Sequence, residues 1–295
     1  MIRSDTQRLP TWLKFPRKKT GSLGEVRRTL SELKLATVCE GAWCPNRGEC
    51  YASGTATFMI LGESCSRSCG FCSIPGGKLE TRGLNPLPDE PSRVAEAARR
   101  LGLGYVVVTS VTRDDLPDGG AGHFGKTVAA LRALTPAPRV ELLVPDFRGD
   151  EVSIETALSA RPDVLGHNLE TVPRLYPTAR PGADYSRSLD LLRRAADAGL
   201  TTKTGLMLGL GEDFRELERV YRDVVRAGVG ILTLGQYLRP TRDQLPVERY
   251  WRPEEFDDQG EKARRIGIPT VAAGPLVRSS YLAESYFQSN RWRQR

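Results

Sequence analysis

The stretch Cys-Ser-Arg-Ser-Cys-Gly-Phe-Cys at residues 65–72 decides the fold of this chain. It comes directly after an apolar run at residues 57–62, which predicts a buried β-strand. Cys65, Cys69 and Cys72 follow a C-x3-C-x2-C spacing, and three thiolates on one short loop can hold three irons of a cubane 4Fe-4S cluster. The fourth iron then has no cysteine ligand and is open to a ligand from outside the protein.

The remaining three cysteines form another triplet, the first in chain order, and the chain has no others. Cys39, Cys44 and Cys50 follow a C-x4-C-x5-C spacing, which predicts a second 4Fe-4S cluster. The open iron of the first cluster is what a chain needs to bind and reductively cleave S-adenosylmethionine (SAM). Two clusters therefore indicate chemistry that one cluster does not perform alone.

Two other interpretations of six cysteines fit the sequence less well. Disulfide frameworks are typical of small, secreted, cysteine-dense chains, whereas this chain has 295 residues. Structural zinc usually takes four ligands from paired knuckles, whereas each triplet supplies three. The only histidines, His123 and His167, lie far from both triplets in the sequence. Zinc is the stronger of the two alternatives, and we favour iron–sulfur clusters over both.

Composition and charge limit the class of protein. Hydrophobic residues make up 39% of the chain, and no apolar run approaches the ~18 residues of a membrane span. Because the start of the chain does not resemble a secretory segment, we expect a cytoplasmic protein without a membrane partner. The net charge of +7 includes basic runs at residues 17–19 and at Arg291, Arg293 and Arg295. We interpret these runs as solvated, or as a docking surface for an acidic protein, and we expect no nucleic acid partner.

Short apolar segments alternate with amphipathic segments through the middle of the chain. The predicted strands cover residues 57–62, 105–110, 140–144, 164–167, 202–207 and 230–234. The predicted helices cover residues 90–101, 127–134, 153–159, 188–198 and 214–227. This alternation is typical of parallel β/α units with strands buried on both faces. Six units predict an α/β fold, a partial (β/α)6 TIM-like barrel with its active site at the carboxyl ends of the strands.

The chain divides into three predicted segments. Residues 1–55 form an N-terminal extension that carries the first triplet, with a helix at residues 25–35. Residues 56–250 form the partial barrel, with the second triplet at its mouth. Residues 251–295 form a C-terminal extension with one more helix and a short strand at residues 270–272.

Several longer motifs resemble lipoyl synthase, a family of radical SAM enzymes. The C-x3-C-x-F-C run resembles radical SAM enzymes in general, and the upstream C-x4-C-x5-C run resembles lipoyl synthase in particular. Further similar motifs stand at residues 54–62, 109–120, 145–149, 167–172, 205–212 and 274–281. The resemblance extends from about residue 10 to about residue 286, and it implies a barrel of the radical-SAM type.

The resemblance also implies the reaction and its cofactors. It implies sulfur insertion at C6 and C8 of a protein-bound octanoyl-lysine, giving lipoyl-lysine in the final step of protein lipoylation. The cofactors would be SAM and two 4Fe-4S clusters, of which the auxiliary cluster at Cys39, Cys44 and Cys50 is the sacrificial sulfur donor. Its fourth ligand is implied to be Ser280 of the Arg-Ser-Ser-Tyr motif, with Ser279 as the second choice.

The implied partners follow from that reaction. They are octanoylated lipoyl carrier domains (dehydrogenase-complex acyltransferase subunits or the glycine-cleavage H protein), an electron donor such as ferredoxin or flavodoxin, and an iron–sulfur carrier that rebuilds the cluster. The chain departs from the family pattern at Gly41-Ala42-Trp43, where the family usually has Glu-Ala-Arg, and at Leu282, where a histidine or basic residue often follows the motif. Neither departure removes a ligand, so both bear on partner contacts.

Polar side chains near the ends of the predicted strands are candidates for binding SAM. We expect Thr109 and Ser110 to accept hydrogen bonds from the methionine ammonium group. We expect Asn168 and Glu170 to bind the ribose hydroxyls, although a surface charge is the alternative for Glu170.

Four further side chains are candidates on the same grounds. We expect Arg187 and Lys203 to meet the methionine carboxylate, although Arg187 can equally be a surface charge. We expect Leu206 and Met207 to pack against adenine, with ordinary core packing as the alternative.

Four other functions remain open at this point. Residues 120–127 satisfy the phosphate-loop pattern G-x4-G-K-T, but they do not directly follow a strand as that loop must, so we interpret the match as accidental. Asp114, Asp115 and Asp118 allow a divalent metal site, although turn formation explains them better. The remaining alternatives are another two-cluster radical SAM enzyme that inserts sulfur or methylthiolates its substrate, and a non-catalytic iron–sulfur or zinc-binding protein.

Overall fold

A computed structural model describes residues 9–13, 23–41, 44, 46–52, 56–76, 85–281, 283–285 and 287. The basic run at residues 17–19, the arginines of the C-terminal tail and the departures at Ala42, Trp43 and Leu282 lie outside these residues.

The centre of the described part is an eight-stranded sheet whose strands follow one another in chain order. The strands are β1 (Ala36–Thr37), β2 (Ala56–Ile60), β3 (Tyr105–Ser110), β4 (Arg139–Leu143), β5 (Val164–Gly166), β6 (Thr201–Leu208), β7 (Ile231–Gln236) and β8 (Thr270–Gly274). Strand β1 pairs antiparallel with β2, and every later pair is parallel. No pairing joins the first strand to the last among the described residues, so the predicted open β/α barrel is confirmed.

Helices connect and cover the strands. They are α1 (Leu23–Glu32), α2 (Val38–Gly41), α3 (Arg47–Ala52), α4 (Glu90–Arg100), α5 (Ala121–Arg132), α6 (Glu151–Ser159), α7 (Tyr176–Ala179), α8 (Tyr185–Asp197), α9 (Phe214–Arg226) and α10 (Pro253–Ile266). Among the described residues, none of these helices is long and apolar enough to cross a membrane.

Helix α9 illustrates how the sequence sets these elements. The Asp213 carboxylate accepts from the backbone N–H of Glu216, and the Glu216 carboxylate accepts from that of Asp213, which caps the first turn. Leu217, Val220 and Val224 then recur at helical spacing and are buried. The cap and the apolar stripe together fix where α9 begins and which face packs on the sheet.

The parallel part of the sheet has one strand more than the sequence predicted. Strand β8 pairs with β7 from Ile231↔Thr270 to Gly235↔Gly274, and α10 provides the crossover. The sequence predicted a shorter strand at residues 270–272 and placed it in the C-terminal extension, outside the barrel. The sheet therefore extends past residue 250, where the sequence predicted the third segment to begin.

The two faces of the sheet have different partners. Val106 and Val108 of β3 belong to a large core that also contains helix residues such as Val94 and Phe124. The intervening positions Tyr105 and Val107 form a separate cluster with Val164, Ala283 and Phe287, and the Tyr105 and Phe287 rings are 6.2 Å apart. Because successive side chains of a strand point to opposite faces, the C-terminal segment packs inside the barrel.

Candidate active site

The second cysteine triplet lies in the loop that follows β2, at the edge of the sheet where parallel strands end. Four backbone hydrogen bonds hold this loop: Cys65 N to Pro75 O (2.8 Å), Ser66 N to Thr112 O (2.8 Å), Gly70 N to Ala179 O (2.9 Å) and Leu245 N to Gly70 O (2.7 Å). Gly70 is required here, since a Cβ at this position would lie 2.9 Å from the carbonyl oxygen of Thr178. The loop is thus fixed by three distant segments of the chain.

The thiols of this loop form a donor set suited to a cubane cluster. The Cys65 sulfur accepts hydrogen bonds from the backbone N–H groups of Thr112 (3.3 Å) and Arg67 (3.5 Å), contacts that tune cluster potentials in iron–sulfur proteins. Burial raises the pKa of Cys69 to about 11, with Cys72 and Cys65 adding to the shift and Arg180 opposing it. Binding iron there must therefore release protons.

A network of ion pairs around the buried Asp146 carboxylate holds the loop at residues 65–76 in place. The Arg67 guanidinium donates to Asp114 (2.8 Å) and Asp146 (2.6 Å), and Arg187 donates to the second Asp146 oxygen (2.8 Å). Burial opposes ionisation of Asp146, but Arg67, His167 and Arg187 together lower its pKa to about 2. Asp146 is therefore a carboxylate at neutral pH and holds both arginines at the barrel mouth.

The first cysteine triplet is built differently, from two short helices. Cys39 lies in α2, Cys50 lies in α3, and the Cys44 N–H donates to the Cys39 carbonyl oxygen (3.2 Å). Burial, together with the nearby Cys39 and Cys44 thiols, raises the pKa of Cys50 to about 12, which places all three thiols within one electrostatic environment. The predicted cysteine ligands of the auxiliary cluster are thus brought together.

No three His, Cys, Asp or Glu side chains of the described residues converge as ligands of one metal ion. A cubane cluster does not require such convergence, since each cysteine binds a different iron.

The C-terminal turn after β8 meets the first triplet. The Asn46 side-chain amide donates to the Leu276 carbonyl oxygen (2.6 Å), and Arg278 lies close enough to Cys44 for their charges to interact. Ser279 donates to the Asn168 side chain (3.1 Å), whereas the Ser280 hydroxyl makes no hydrogen bond to any described residue. Ser280 is therefore the uncommitted hydroxyl of the motif.

The two triplets are also linked directly. The Ser73 hydroxyl, one residue after Cys72, donates to the Gly41 carbonyl oxygen (3.1 Å) at the end of α2. A Cβ at position 41 would lie 3.0 Å from the Ile74 side chain, so the two segments are in close contact. Both candidate cluster sites therefore open on the same region of the barrel mouth.

Four of the predicted SAM contacts lie around this mouth. The Thr109 hydroxyl donates to the Leu143 carbonyl oxygen (2.8 Å), and the buried Ser110 Oγ has no hydrogen-bond partner among the described residues. The Asn168 side-chain amide donates to Glu170 (3.0 Å), and Glu170 acts electrostatically on the Cys69 and Cys72 thiols. These polar groups remain candidates for SAM.

Lys203 is not available to the methionine carboxylate. Its ammonium group is 2.9 Å from Glu141, and both side chains are only 1% exposed. Lys203 pairs across the sheet with Ile231, the first residue of β7, so it lies towards the amino-terminal edge of the barrel, away from the mouth. The sequence analysis assigned Lys203 to the correct strand but not to the correct end of that strand.

The other three predicted contacts have mixed outcomes. Leu206 is 3% exposed and packs in a core cluster with Leu234, so the core-packing alternative is the correct one for it. Met207 points to the opposite face and is partly exposed, so it remains a candidate for the adenine contact. Arg187 lies at the mouth, but its guanidinium is already bound to Asp146.

Arg180 is a site residue that the sequence analysis missed. It is 9% exposed and donates through one guanidinium nitrogen to the carbonyl oxygens of Asn168 (2.8 Å) and Leu169 (3.1 Å). Its buried Nε has no partner among the described residues, and its charge acts on Cys69 and Glu170. The available signal was an arginine shortly after the Asn168-Leu169-Glu170 segment, but the spacing alone does not reveal where it points.

The phosphate-loop pattern belongs to a helix. Helix α5 begins at Ala121, so the Gly125-Lys126-Thr127 part of the pattern lies within it. The Thr127 hydroxyl donates to the His123 carbonyl oxygen one turn earlier and is fully buried. These residues form no loop that could surround a phosphate.

The aspartates of residues 114–118 are engaged within the fold rather than gathered around a metal. Asp114 binds Arg67, Asp115 binds Arg113, and Asp118 accepts the backbone N–H groups of Gly120 and Gly122 at the start of α5.

Known proteins are similar in sequence to this chain over nearly its full length. The family model of the radical SAM superfamily matches residues 59–224. Lipoyl synthase of Nitratidesulfovibrio vulgaris (strain Hildenborough) is 50% identical over 286 residues, which cover 97% of this chain and 95% of that protein. Lipoyl synthase of Citrifermentans bemidjiense is 52% identical over 292 residues, which cover 97% of each protein.

Solved structures share the fold. Streptococcus suis SuiB bound to S-adenosylmethionine matches with a TM-score of 0.55 at 11% sequence identity, over 77% of this chain and 53% of that chain. This chain thus spans about half the length of SuiB, and the likeness concerns the fold alone. The superfamily match implies one 4Fe-4S cluster and SAM. Together with the near-full-length identity to curated relatives, it shows that the chain belongs to the lipoyl synthase family of radical SAM enzymes.

Proposed function

We propose that this enzyme inserts sulfur at C6 and C8 of an octanoyl chain that is amide-linked to a lysine of a carrier protein, giving lipoyl-lysine. One observation carries this proposal: the C-terminal turn with the uncommitted Ser280 hydroxyl lies against the first triplet, which is itself linked to the second triplet through Ser73 and Gly41. A single-cluster radical SAM enzyme needs no such second donor set.

Cys65, Cys69 and Cys72 would hold the cluster that serves SAM. When bound, that cluster supplies the electron for cleavage of SAM to methionine and a 5′-deoxyadenosyl radical. The protein's part is to orient SAM and exclude water. The unpartnered Ser110 hydroxyl suits the methionine ammonium group, and Asn168 with Glu170 suits the ribose.

Arg180 takes the role that the sequence assigned to Lys203. One guanidinium nitrogen is fixed by the Asn168 carbonyl oxygen, the buried Nε has no partner among the described residues, and the guanidinium charge acts on the Cys69 thiol. An arginine in this setting suits a carboxylate, because its planar donors match the two oxygens. We therefore assign the methionine carboxylate to Arg180.

The second cluster is the auxiliary cluster at the first triplet, and it is a substrate in this proposal because its sulfur enters the product. Cys39, Cys44, Cys50 and Ser280 would hold it. A serine oxygen binds iron less strongly than a thiolate does, so a Ser280 ligand favours a cluster that must be dismantled. Each lipoyl group needs two C–H bonds broken and hence two molecules of SAM.

The proposed macromolecular partners are octanoylated lipoyl carrier domains, a one-electron donor such as ferredoxin or flavodoxin, and an iron–sulfur carrier that rebuilds the second cluster. Their support is the reaction itself, which consumes a carrier-bound acyl chain, electrons and cluster sulfur.

Anaerobic reconstitution followed by turnover tests the proposal. We expect about eight irons per chain, as two cubane clusters require. With dithionite, SAM and an octanoyl-lysine peptide, mass spectrometry should detect a peptide that has gained two sulfurs. Stoichiometric zinc without visible charge-transfer absorption would rule out the cluster assignment. SAM cleavage without sulfur in the peptide would instead point to another two-cluster radical SAM reaction.

A further inference from the structure

One hydrogen bond connects the two ends of the candidate active site. The Ser279 hydroxyl lies 3.1 Å from the Asn168 side-chain oxygen, across 111 positions of the chain. Asn168 uses its amide nitrogen to donate to Glu170 at 3.0 Å, so its side chain is held from both sides. Ser279 immediately precedes Ser280, and Asn168 belongs to the proposed ribose site. The bond therefore connects the proposed ribose site to the residue next to the proposed cluster ligand Ser280.

Two glycines make this contact possible. At Gly235, near the end of β7, a side chain would collide with the Val277 carbonyl oxygen of the C-terminal turn. At Gly205, in β6, a Cβ would lie 3.1 Å from the Asn168 side-chain oxygen and 2.7 Å from the Thr233 hydroxyl. The missing side chains leave a space inside the barrel mouth in which the C-terminal turn reaches Asn168.

Each end of the connection continues to one cysteine triplet. Beyond Asn168, Glu170 acts on the Cys69 and Cys72 thiols. Beyond Ser279, the neighbouring Arg278 acts on Cys44, and Leu276 accepts the hydrogen bond from Asn46. The two triplets are therefore joined by a series of hydrogen bonds, chain neighbours and electrostatic interactions.

We propose that Ser279 is a positioning residue that couples SAM binding to the placement of Ser280. This inference rests on the proposed function, because it takes Ser280 as a ligand of the second cluster. SAM bound to Asn168 and Glu170 restrains the Asn168 amide, which holds Ser279 and therefore Ser280 in place. Linkage requires the reverse as well: a C-terminal turn held by the second cluster must strengthen SAM binding by the same factor.

The test measures SAM affinity by equilibrium binding to fully loaded protein, without turnover. Ser279→Ala should weaken SAM binding about five-fold, the loss expected for one neutral hydrogen bond. Ser279→Thr keeps the hydroxyl and should bind SAM as the parent does. Ser159→Ala serves as the matched control, because it removes a surface serine hydroxyl that bonds only to Glu155.

A second measurement separates coupling from a local defect. SAM should change the Mössbauer spectrum of the second cluster in the parent and in Ser279→Thr, but not in Ser279→Ala. In a Cys44→Ala background, which lacks the second cluster, Ser279→Ala should no longer affect SAM affinity.

Three results would overturn the coupling. These are unchanged SAM affinity in Ser279→Ala, equal loss in Ser279→Thr, and an undiminished effect in the Cys44→Ala background. A parent protein that loads eight irons and forms lipoyl product while giving any of these results would refute the coupling and leave the proposed function intact. A parent without a second cluster would refute the proposed function itself.

Discussion

The two cysteine triplets have the same number of thiols but very different supports. The loop at residues 65–76 is held by backbone hydrogen bonds to residues 112, 179 and 245, and by the Arg67 pairs with Asp114 and Asp146. In the first triplet, Cys39 lies in α2 and Cys50 lies in α3, helices of four and six residues, and Cys44 lies between them. Ser73 and the C-terminal turn hold this region from outside.

This difference suits two clusters with different fates. A cluster that only transfers electrons benefits from a rigid site, because its protein environment sets its potential. A cluster that gives up sulfur must open and be rebuilt, and short helices closed by the turn after β8 allow that with little disruption of the barrel. The contrast in support therefore agrees with a permanent cluster at Cys65, Cys69 and Cys72 and a consumed one at Cys39, Cys44 and Cys50.

The largest expected effect comes from removing one thiol of each triplet. Cys69→Ala should abolish SAM cleavage, because the cluster with the open iron is lost. Cys44→Ala should leave SAM cleavage in place but abolish lipoyl product. The measurement is deoxyadenosine and lipoyl peptide from the same anaerobic reactions. Equal loss of deoxyadenosine in both variants would contradict the division of labour between the triplets.

The next effect concerns Ser280 and the lability of the proposed auxiliary cluster. Ser280→Cys supplies a softer and stronger iron ligand, so it should keep both clusters and cleave SAM yet insert little sulfur. Ser280→Ala should load the second cluster in an altered form. Assays of deoxyadenosine and lipoyl peptide check both variants. Full product from Ser280→Ala, with loss of product in Ser279→Ala, would mean that Ser279 is the ligand.

A smaller effect distinguishes Arg180 from Arg187 at the proposed SAM site. Arg180→Gln should weaken SAM binding about ten-fold or more, the loss expected for a hydrogen bond to a charged group. Arg187→Gln, the matched control, should weaken it less, because Arg187 is committed to Asp146. Equilibrium binding of SAM and of decarboxylated SAM makes the comparison.

Binding of decarboxylated SAM tests whether Arg180 contacts the methionine carboxylate. Parent and Arg180→Gln should bind decarboxylated SAM with similar affinity, since the group that Arg180 recognises is absent. If Arg180→Gln weakens both ligands equally, Arg180 does not contact the carboxylate.

The smallest effect lies outside both triplets. Lys126→Ala should retain SAM cleavage and lipoyl product close to the parent level, because Lys126 lies within α5. Kinetics of the cluster-loaded variant, with an ATP-binding measurement on the parent, provide the check. Loss of activity in a folded variant, together with ATP affinity in the parent, would revive the phosphate-loop interpretation.

Most of the fold follows from local sequence patterns. Strand β3 was predicted at its observed bounds, and the other barrel strands within two residues at each end, because apolar runs between helices mark buried parallel strands. Helix α5 begins six residues before the predicted start, since Ala121, Gly122 and Gly125 interrupt the amphipathic pattern. The place of β8 beside β7 depends on long-range pairing, which a five-residue apolar run does not encode.

The site was predictable where motifs fix the chemistry and less so where geometry decides. The cysteines and the Ser280 motif stand out in the sequence. The position of Lys203 opposite Ile231 depends on strand register, and the orientation of Arg180 depends on how the segment after β5 folds back onto Gly70. Both are tertiary facts.

The hydrogen bond between Asn46 and Leu276, 230 positions apart, has a consequence for biosynthesis. A ribosome makes Asn46, beside the first triplet, 230 residues before it makes Leu276 of the turn that covers that triplet. The supports of the second triplet are complete once Leu245 has been added. We therefore expect the two proposed clusters to mature in a fixed order, with the radical SAM cluster first and the proposed sulfur-donating cluster second.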